Sequence, residues 1–456
     1  MLKNKSFFAS SLLFLFLSTI LFFSVPTRKS CFDIDSYGYD RIGHHFAKTG
    51  DLADPNSPDN ATVQTVGYHF FVGVMYRLFG HRFWPIIWLQ IFLTLLSCWL
   101  TFCIANYFFG KTVASLAIFL CAINVGFLVY PQFLLAESLV LVMILLFVER
   151  FLAFCKTQRI SDLVLSGFSG GLSLLVKPSA LVFFFFLLVF LVCCAVSTGR
   201  RLRAFFLFAL CFSVPLFGYL SYNKVQYGYF NLAPMASLNI YHVFLSKVIA
   251  RVDGISVKQA EQKIPKFSCE NTLDERGWDG ARALFLNYVR KYPIDCFLVW
   301  AQNVSKTMFG LFTTQLKVFL SPNVQGGDVS FFAIQGSLLS RAYQYITKGS
   351  NSGWVTTIAF GEAVWTIFRY LLIFLILFLF LWARQWAVFI FFVAYIFSFS
   401  IVTGFDGCCR YRILFEPVLI ILSSLAFVVL YRWFRGAFHE KDSLRHFLSG
   451  YRCKRV

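Results

Sequence analysis

The feature that most constrains this sequence is a series of apolar runs of membrane-spanning length. A helix needs roughly 20 apolar residues to cross the hydrocarbon core of a bilayer, and about ten runs here approach that length. We therefore predict an all-α polytopic membrane protein. The predicted spans are Phe7–Val25, Phe83–Ala105, Thr112–Tyr130, Leu134–Phe154, Leu163–Val176, Ser179–Val196, Ala204–Tyr222, Glu362–Trp382, Trp386–Val402 and Ile413–Tyr431.

Two of these runs carry further information. The first resembles a signal peptide in position, but it is long and lacks a small-x-small cleavage site, so we expect an uncleaved anchor. The fifth is short and carries Gly167, Gly170 and Gly171. Small residues let helix backbones approach closely, so this span is predicted to pack tightly among its neighbours.

The composition excludes a water-soluble globule. Hydrophobic residues make up 58% of the chain, aromatic residues 20% and charged residues only 14%, which is too little polar surface to cover a soluble protein of this length. The formal net charge of +19 raises the question of nucleic acid. The basic residues lie in short clusters beside apolar runs, where they act as topology signals, and no nucleic-acid-binding module is recognisable. We therefore expect a bilayer, and no nucleic acid, as the partner.

The orientation follows from the short loops, because loops rich in Lys and Arg stay cytoplasmic. Both termini are then cytoplasmic, in what we expect to be the inner (plasma) membrane of a bacterium. The residues assigned to the cytoplasmic side are Lys3, Lys5, Lys111, Arg150, Lys156, Arg159, Arg200, Arg201, Arg203, Arg384 and the tail from Arg432 to Arg455. The opposite, extracytoplasmic face receives the 27–65 loop, the turns at Pro131 and Lys177, the 223–361 segment and the turn at 403–412.

This scheme divides the chain into four parts. An N-terminal transmembrane module (1–222) contains the first outer loop (26–82), and it is followed by an extracytoplasmic domain (223–361), C-terminal transmembrane helices (362–431) and a basic cytoplasmic tail (432–456). The 223–361 segment is too long and too polar for a simple connector, so we expect several helices lying on the membrane. Apolar periodicity between residues 281 and 308, interrupted at Tyr292-Pro293, predicts two amphipathic helices with Pro at the second start.

The cysteines give no metal-binding pattern. The chain lacks a CxxC or Cys/His ligand spacing, so a thiolate zinc site is not predicted. An oxidising compartment would allow a disulfide between Cys269 and Cys296, and free thiols are the open alternative. The cysteines assigned to the extracytoplasmic side are Cys31, Cys269, Cys296, Cys408 and Cys409.

Candidate chemistry begins with two carboxylates just after the first span. Asp33 and Asp35 are suited to bind a divalent cation or to supply a general base. The alternative is a solvated loop charge or a helix cap, because Asp35-Ser36 precedes a plausible amphipathic helix with Tyr39, Ile42 and Phe46 on one face. The pair alone does not decide between these interpretations.

Charged residues far away in the sequence, on the same predicted face, favour the functional interpretation of the two carboxylates. Glu137 lies at the outer end of the fourth span, where an ionisable residue needs water, a partner or a ligand, although the helix dipole also favours an N-terminal acid. Lys177 lies between two spans, and a snorkelling lysine is its alternative. Arg410 and Arg412 lie on the face that the positive-inside rule disfavours, and their guanidinium forks match phosphate oxygens. This layout indicates a site for a phosphorylated amphiphile.

The order of several short motifs resembles a known family. The first outer loop carries Asp35-Ser36-x-x-Tyr39, Gly50-Asp51-Leu52, and Gly67-Tyr68-His69-Phe70 running to Tyr76-Arg77-Leu78-Phe79-Gly80. Later landmarks follow as Leu135-Ala136-Glu137-Ser138-Leu139, the segment from Gly170 to Lys177-Pro178-Ser179-Ala180, and Arg410-Tyr411-Arg412 with Glu416-Pro417. Together they resemble the dolichyl-phosphate-mannose protein mannosyltransferase-like family, the GT-C glycosyltransferases of family 39. The departures are His69 for the usual Pro, Gly43 for a small Ala and Lys177 for a common Arg.

The resemblance implies a GT-C-like fold with juxtamembrane helices in the first outer loop. It also implies an inverting transfer of a sugar from a polyprenyl-phosphate donor to a protein, lipid or glycan acceptor. Asp35 would be the general base and Glu137 would orient the acceptor or share that role. The residues assigned to substrate binding are Asp33, Tyr39, Tyr68, His69, Lys177, Arg410, Tyr411 and Arg412, with Lys177 and the two arginines on the lipid phosphate. A divalent cation cofactor stays open, with Asp33 and Asp35 as its ligands if one is present.

Two other classes compete with a transferase. A transporter or flippase would carry ionisable residues near mid-span and broken helices in two matching halves, whereas the charges here cluster at outer ends and no inverted repeat is visible. A structural or assembly subunit without catalysis would tolerate neutralisation of Asp35.

Overall fold

The computed structural model describes the chain outside residues 1–4, 25–30, 58–63, 182–197, 269–272, 321–330, 332–333, 348–352 and 437–456. The described part is built from helices and contains no β-strand. Its α-helices of five or more residues are α1 Lys5–Phe23, α2 Ile34–Thr49, α3 Val66–Phe79, α4 Trp84–Ala122, α5 Val125–Val129, α6 Glu137–Thr157, α7 Ile160–Val176, α8 Thr198–Tyr227, α9 Leu245–Asp253, α10 Val257–Lys263, α11 Asp279–Lys291, α12 Pro293–Phe309, α13 Thr313–Leu320, α14 Leu338–Thr347, α15 Gly353–Trp382, α16 Trp386–Thr403 and α17 Glu416–Phe434.

The described helices confirm the predicted membrane architecture. Seven of them are long and apolar enough to cross a bilayer, namely α1, α4, α6, α8, α15, α16 and α17, and the 17-residue α7 is a shorter apolar helix. Helix α4 has 39 residues and a non-helical backbone at Gly110 (φ 77°, ψ 177°), so it joins two of the predicted spans end to end. Each predicted span coincides with one of these helices or half-helices except Ser179–Val196, which lies almost wholly outside the described residues.

Some predicted boundaries were wrong. The third predicted span was expected to reach Tyr130, but α4 ends at Ala122 and Asn124 caps the short α5 by accepting from the Phe127 N–H at 3.1 Å. Helix α15 begins at Gly353, before the expected start at 362. The last span begins at Glu416 because a 3-10 segment, Cys409–Leu414, precedes it and Pro417 suits the first turn of a helix.

The centre of the bundle is α6, which packs against α4 and α7, while α4 also packs against α17. The glycine-rich α7 packs against α8, as its small residues predicted. A Cβ at Gly167 would lie 2.9 Å from the Phe208 carbonyl oxygen, and a Cβ at Gly171 would collide with the Phe212 carbonyl oxygen. The backbones of α7 and α8 are therefore in direct contact at both glycines.

The substitution Gly171→Ala tests this contact. We expect it to lower the stability of the protein by about 1–3 kcal/mol, because the added methyl group forces the packed helices apart. Gly218→Ala in α8 is the matched control, since a Cβ there meets no atom within 4 Å. A thermal melt in detergent should show a lower midpoint for Gly171→Ala only, and equal midpoints would contradict the packing.

The predicted first outer loop forms the two juxtamembrane helices implied by the family resemblance, α2 and α3. Helix α2 starts one residue before Asp35, so Asp33 is its N-cap and Asp35 lies in the first turn. The Asp33 side chain accepts from the Ile34 N–H at 2.7 Å and Ser36 Oγ accepts from the Asp33 N–H at 2.9 Å, which is a capping box. The capping role that the sequence left open for Asp35 therefore belongs to Asp33.

The departure at Gly43 has a packing cause. A Cβ at this position would lie 2.5 Å from Val72 Cγ1, on the neighbouring α3. Helices α2 and α3 therefore cross closely here, with Gly73 of α3 near the same point. In this chain the valine methyl group occupies the space that a small Ala side chain at 43 would need.

The 223–361 region contains the predicted amphipathic pair. Helices α11 and α12 meet at Tyr292, and Pro293 is the first residue of α12, as predicted. Helix α9 packs against α11, where Leu245 and Ile249 meet Ala281, and against α12, where Val248 meets Cys296 and Val299. Cys296 in α12 is a free, buried thiol, whereas Cys269, its suggested partner, lies outside the described residues. The boundaries of the region as a separate domain stay predictions.

Candidate active site

The guanidinium group of Arg410 faces all three carboxylates that the sequence analysis singled out. Arg410, in the 3-10 segment between α16 and α17, donates from Nη2 to Asp35 Oδ2 at 2.6 Å. Its Nε lies 3.1 Å from Glu137 Oε1, and its Nη1 lies 3.8 Å from Asp33 Oδ2. Residues far apart in sequence, on α2, α6 and the 409–414 segment, thus meet at one point.

Lys177 supplies the second cation of this site. It follows the last residue of α7, and Pro178 after it disfavours continuation of the helix. Its Nζ donates to Glu137 Oε1 at 2.6 Å and lies 4.6 Å from the centre of the Tyr411 ring. Glu137 is almost fully buried, so its carboxylate is held between the two cations.

The charge environment keeps this site strongly polarised. Burial opposes the charge of Arg410, but the carboxylates of Glu137 and Asp35 outweigh it and hold the pKa of Arg410 well above its ordinary value. Burial raises the pKa of Asp33, and Asp35 and Glu137 raise it further, against the lowering effect of the Ile34 N–H and Arg410. Arg410 therefore stays protonated, while Asp33 takes up a proton more readily than an ordinary carboxyl group.

These groups line a cavity of about 330 Å³. Asp35, Tyr39, Lys177, Arg410 and Tyr411 form its polar wall, and a second wall comes from the start of the 223–361 region at Met235, Ala236, Leu238 and Asn239. The Asp35 side chain is 28% exposed, so a ligand in the cavity can reach its oxygens. The cavity therefore offers a carboxylate able to accept a proton beside two cations able to bind an anion.

The predicted aromatic contacts divide into two groups. Tyr39 lines the cavity, and its ring centre lies 4.5 Å from that of Tyr68 and 5.0 Å from that of His69. The Tyr68 hydroxyl donates to Gln90, whose amide donates to the Phe133 carbonyl at 2.6 Å. Tyr68 and His69 are fully buried behind Tyr39 and are not part of the cavity lining. Tyr39 therefore contacts the cavity, whereas Tyr68 and His69 pack against Tyr39 from the protein interior.

His69 should make stability depend on pH. Burial lowers its pKa from 6.5 to about 4, against the raising effect of the Thr65 carbonyl 3.1 Å from Nδ1. Between pH 4 and 6.5 the unfolded chain therefore binds more protons at this residue than the folded chain does. The contribution of His69 to the free energy of unfolding is fully present above pH 6.5 and is lost as the pH drops towards 4. The full effect is about 3 kcal/mol. We expect His69→Gln to show a smaller loss of melting temperature between pH 7 and pH 5, and an unchanged loss would exclude His69 as the cause.

Arg412 is placed elsewhere. It is buried, donates from Nη1 to the Met308 and Gly310 carbonyls at 2.7 and 2.8 Å, and lies 4.0 Å from the centre of the Phe312 ring. Its Nε lies 3.2 Å from Glu416 Oε2. The 3-10 segment thus directs Arg410 and Arg412 to different places, and the structure does not bring Arg412 to the cavity.

Sequence reasoning missed two polar groups at the cavity. Gln64 donates from Nε2 to Asp35 Oδ1 at 3.0 Å, and Asp406 accepts from the Tyr411 hydroxyl at 2.8 Å. Both line the cavity. A carboxylate in the predicted outer turn at 403–412 was a signal for Asp406, whereas nothing in the sequence distinguished Gln64.

A divalent cation would have to compete with protein cations here. Asp33 caps α2 and faces Arg410, and Asp35 is bonded to Arg410 and Gln64. Among the described residues no cluster of three or more His, Cys, Asp and Glu side chains is placed to hold a metal. The pair therefore offers few free oxygens, and a metal at Asp33 and Asp35 stays an open prediction.

Comparison with known proteins adds a family match and a fold. Residues 63–220, less than half of the chain, match the family model described as dolichyl-phosphate-mannose-protein mannosyltransferase. A search of curated protein sequences finds no match. The matched segment includes Tyr68, His69, Glu137 and Lys177 but ends before Arg410.

Two solved structures of an oligosaccharyltransferase from Archaeoglobus fulgidus share the fold. The archaeal oligosaccharyltransferase AglB in complex with an inhibitory peptide and a dolichol-phosphate superimposes with a TM-score of 0.54 at 15% identity, covering 98% of this chain and 54% of that chain. The enzyme tethered with an acceptor peptide containing the NVT sequon superimposes with a TM-score of 0.53 at 14% identity, covering 98% and 55%. The chain spans about half the length of these relatives.

Proposed function

We propose that this chain transfers a sugar from a polyprenyl-phosphate carrier to an acceptor hydroxyl. The premise is that the chain has the GT-C glycosyltransferase fold and matches the mannosyltransferase family model over residues 63–220. One observation carries the proposal. Asp35, Lys177 and Arg410 line the same 330 Å³ cavity at the ends of apolar helices. A proton acceptor and two phosphate-binding cations thus adjoin the membrane from which a lipid-linked donor would arrive.

The proposed reaction is a single displacement. The acceptor hydroxyl gives its proton to Asp35 as its oxygen attacks the anomeric carbon of the donor sugar. The bond between that carbon and the phosphate oxygen breaks, and its electron pair leaves with the polyprenyl phosphate. Attack opposite the leaving group inverts the anomeric configuration. Asp35 accepts hydrogen bonds from Arg410 and Gln64 but keeps further lone pairs for the acceptor.

The cations would act on the leaving group. Charge accumulates on the phosphate as the glycosidic bond breaks, and fixed cations in a site of low dielectric stabilise that charge without reorganisation. Lys177 and Arg410 are held in place by Glu137, which contacts both. This geometry supports a positioning role for Glu137 on the phosphate-binding cations in preference to the acceptor-orienting role that the resemblance implied.

The same proposal includes the side of the membrane on which the cavity lies. We place the cavity on the extracytoplasmic face of a bacterial inner membrane because the short Lys- and Arg-rich loops lie at the opposite ends of the predicted spans. The site charges lie at helix ends and in connecting segments, an arrangement that favours a transferase over a transporter with ionisable groups along its path. The acceptor is a protein, lipid or glycan hydroxyl.

Mass spectrometry of lipid-linked sugars and surface glycans tests this function. Cells that lack the chain are compared with the same cells carrying the native sequence. Deletion is expected to remove one glycan modification and to leave its lipid-linked donor at a higher level, and the native chain should restore both. Identical glycan and donor profiles in the two cell lines would contradict a transferase.

A further inference from the structure

Two neighbouring cysteines line a second cavity, which the proposed mechanism does not use. This cavity has a volume of about 700 Å³ and lies between α12, α14 and α15. Cys408 and Cys409 are free thiols in its wall, and both residues are partly exposed. Residues 407–409 line this cavity, whereas Asp406, Arg410 and Tyr411 line the catalytic one. The 406–411 segment therefore separates the two cavities.

The two thiols are in contact and are not equivalent. The Cys408 thiol is hydrogen-bonded to Cys409, and the Tyr130 hydroxyl lies 3.6 Å from Cys409 Sγ. The hydrogen bond from Cys408 lowers the pKa of Cys409, against the effect of burial, and Tyr130 and Arg412 lower it further. The same hydrogen bond, together with burial, raises the pKa of Cys408. Because the thiolate is the nucleophile, Cys409 is the attacking thiol of the pair and Cys408 is the thiol that closes a bridge onto it.

The other described cysteines of the predicted extracytoplasmic face, Cys31 and Cys296, lack this activation. Burial raises the pKa of Cys31 to about 12. Burial also raises the pKa of Cys296, and the neighbouring Asp295 raises it further. Both residues are buried, so a solute does not reach them as it reaches a cavity wall. A thiol reagent is therefore expected to act first at Cys409.

A bridge between adjacent cysteines is strained. Consecutive Cα atoms lie about 3.8 Å apart across a trans peptide, whereas disulfides usually join Cα atoms about 4.4–6.8 Å apart. Such a bridge twists the backbone between its two residues, and its strain makes it easy to reduce again, which is typical of regulatory disulfides. Arg410 follows Cys409 directly, so the twist acts on the residue whose guanidinium pairs with Asp35 and Glu137.

We propose that Cys408 and Cys409 are a redox-active thiol pair, which a small disulfide entering the 700 Å³ cavity oxidises to a bridge that turns Arg410 away from Asp35. The Cys409 thiolate attacks one sulfur of the external disulfide, whose S–S bond breaks, and the first thiolate leaves. Cys408 then loses its proton and attacks Cys409 Sγ, and the second thiolate leaves. The two protein thiols lose two electrons and two protons, and the external disulfide takes them up to become two thiols. The expected slowing of sugar transfer rests on the proposed function, whereas the thiol chemistry does not.

Thiol mapping tests the chemistry. The full purified chain in detergent is incubated with hydroxyethyl disulfide, unfolded in the presence of iodoacetamide and digested for mass spectrometry. The peptide with Cys408 and Cys409 should lose two hydrogen atoms and escape alkylation, while Cys31 is alkylated. Cys408→Ser keeps a hydrogen-bond donor beside Cys409, so it should trap a hydroxyethyl adduct on Cys409, and Cys409→Ser should leave Cys408 unmodified. Alkylation of both thiols in the native chain, or equal reaction at Cys31, would overturn the proposal.

The rate of sugar transfer tests the effect on Arg410. Oxidation of the native chain should lower the initial rate about tenfold or more, because a displaced Arg410 no longer stabilises the leaving phosphate, and dithiothreitol should restore it. The double variant Cys408→Ser, Cys409→Ser is the matched control and should transfer equally fast with and without the disulfide. A native rate in a chain whose bridge has been mapped would overturn the effect on Arg410. If the native chain transfers no sugar in either state, the proposed function fails, while the mapping still decides the thiol pair.

Discussion

Replacing Asp35 with Asn should lower the rate of sugar transfer by about 10²–10⁴-fold, the usual contribution of a positioned general base. An amide cannot take the acceptor proton, yet it has nearly the size of the carboxylate and can still accept the hydrogen bond from Arg410 Nη2. The Asp35 side chain is 28% exposed, so losing its charge should disturb folding little. The measurement is the initial rate of glycan formation, by mass spectrometry, at matched amounts of folded protein.

Asp33→Asn is the control for this variant. Asn is as good an N-cap as Asp, so the bond to the Ile34 N–H and the start of α2 should persist. Asp33 lies 3.8 Å from Arg410 and does not line the cavity, so its neutralisation should lower the rate far less than that of Asp35. Equal losses in the two variants would indicate that the carboxylates act as a pair, for instance on a metal. A native rate in Asp35→Asn would exclude it as the base.

The parts of the fold that the sequence predicted are those set by the bilayer. A run of about 20 apolar residues has one stable arrangement in lipid, so α1, α6 and α16 could be predicted directly from the sequence. The positive-inside rule also predicted that Asp35, Lys177 and Arg410 share one face of the membrane. It could not give their distances, because the pairing of Arg410 with Asp35 joins positions 375 residues apart.

Arg410 and Arg412 show that a sequence pattern does not predict the direction of a side chain. Two arginines separated by one residue look equivalent in a predicted turn, since the direction of each side chain depends on the local backbone. The 3-10 segment points Arg410 at the cavity and Arg412 at the Met308 and Gly310 carbonyls. An arginine inside an apolar run, such as Arg369, indicates a buried partner of opposite charge. Only the tertiary structure identifies that partner as Glu416.

Replacing Arg412 with Met should therefore affect folding more than chemistry. The change leaves the carboxylates of Glu362 and Glu416 with less compensation inside the protein, and it frees two backbone carbonyls. Removing one member of a buried charge network costs about 3–5 kcal/mol. We expect a much lower melting temperature in detergent and little folded protein after extraction.

Arg410→Met is the matched comparison, two residues away. Asp33 and Asp35 are 27% and 28% exposed and can be hydrated without Arg410, while Glu137 keeps Lys177. This variant should fold and melt near the native temperature but lose transfer activity, because a phosphate-binding cation is gone. Adding Glu362→Gln to Arg412→Met should recover part of the lost stability, since it removes one uncompensated charge. If instead Arg412→Met melts normally and fails only in transfer, Arg412 reaches the phosphate during the reaction and its position in the buried network is not its working position.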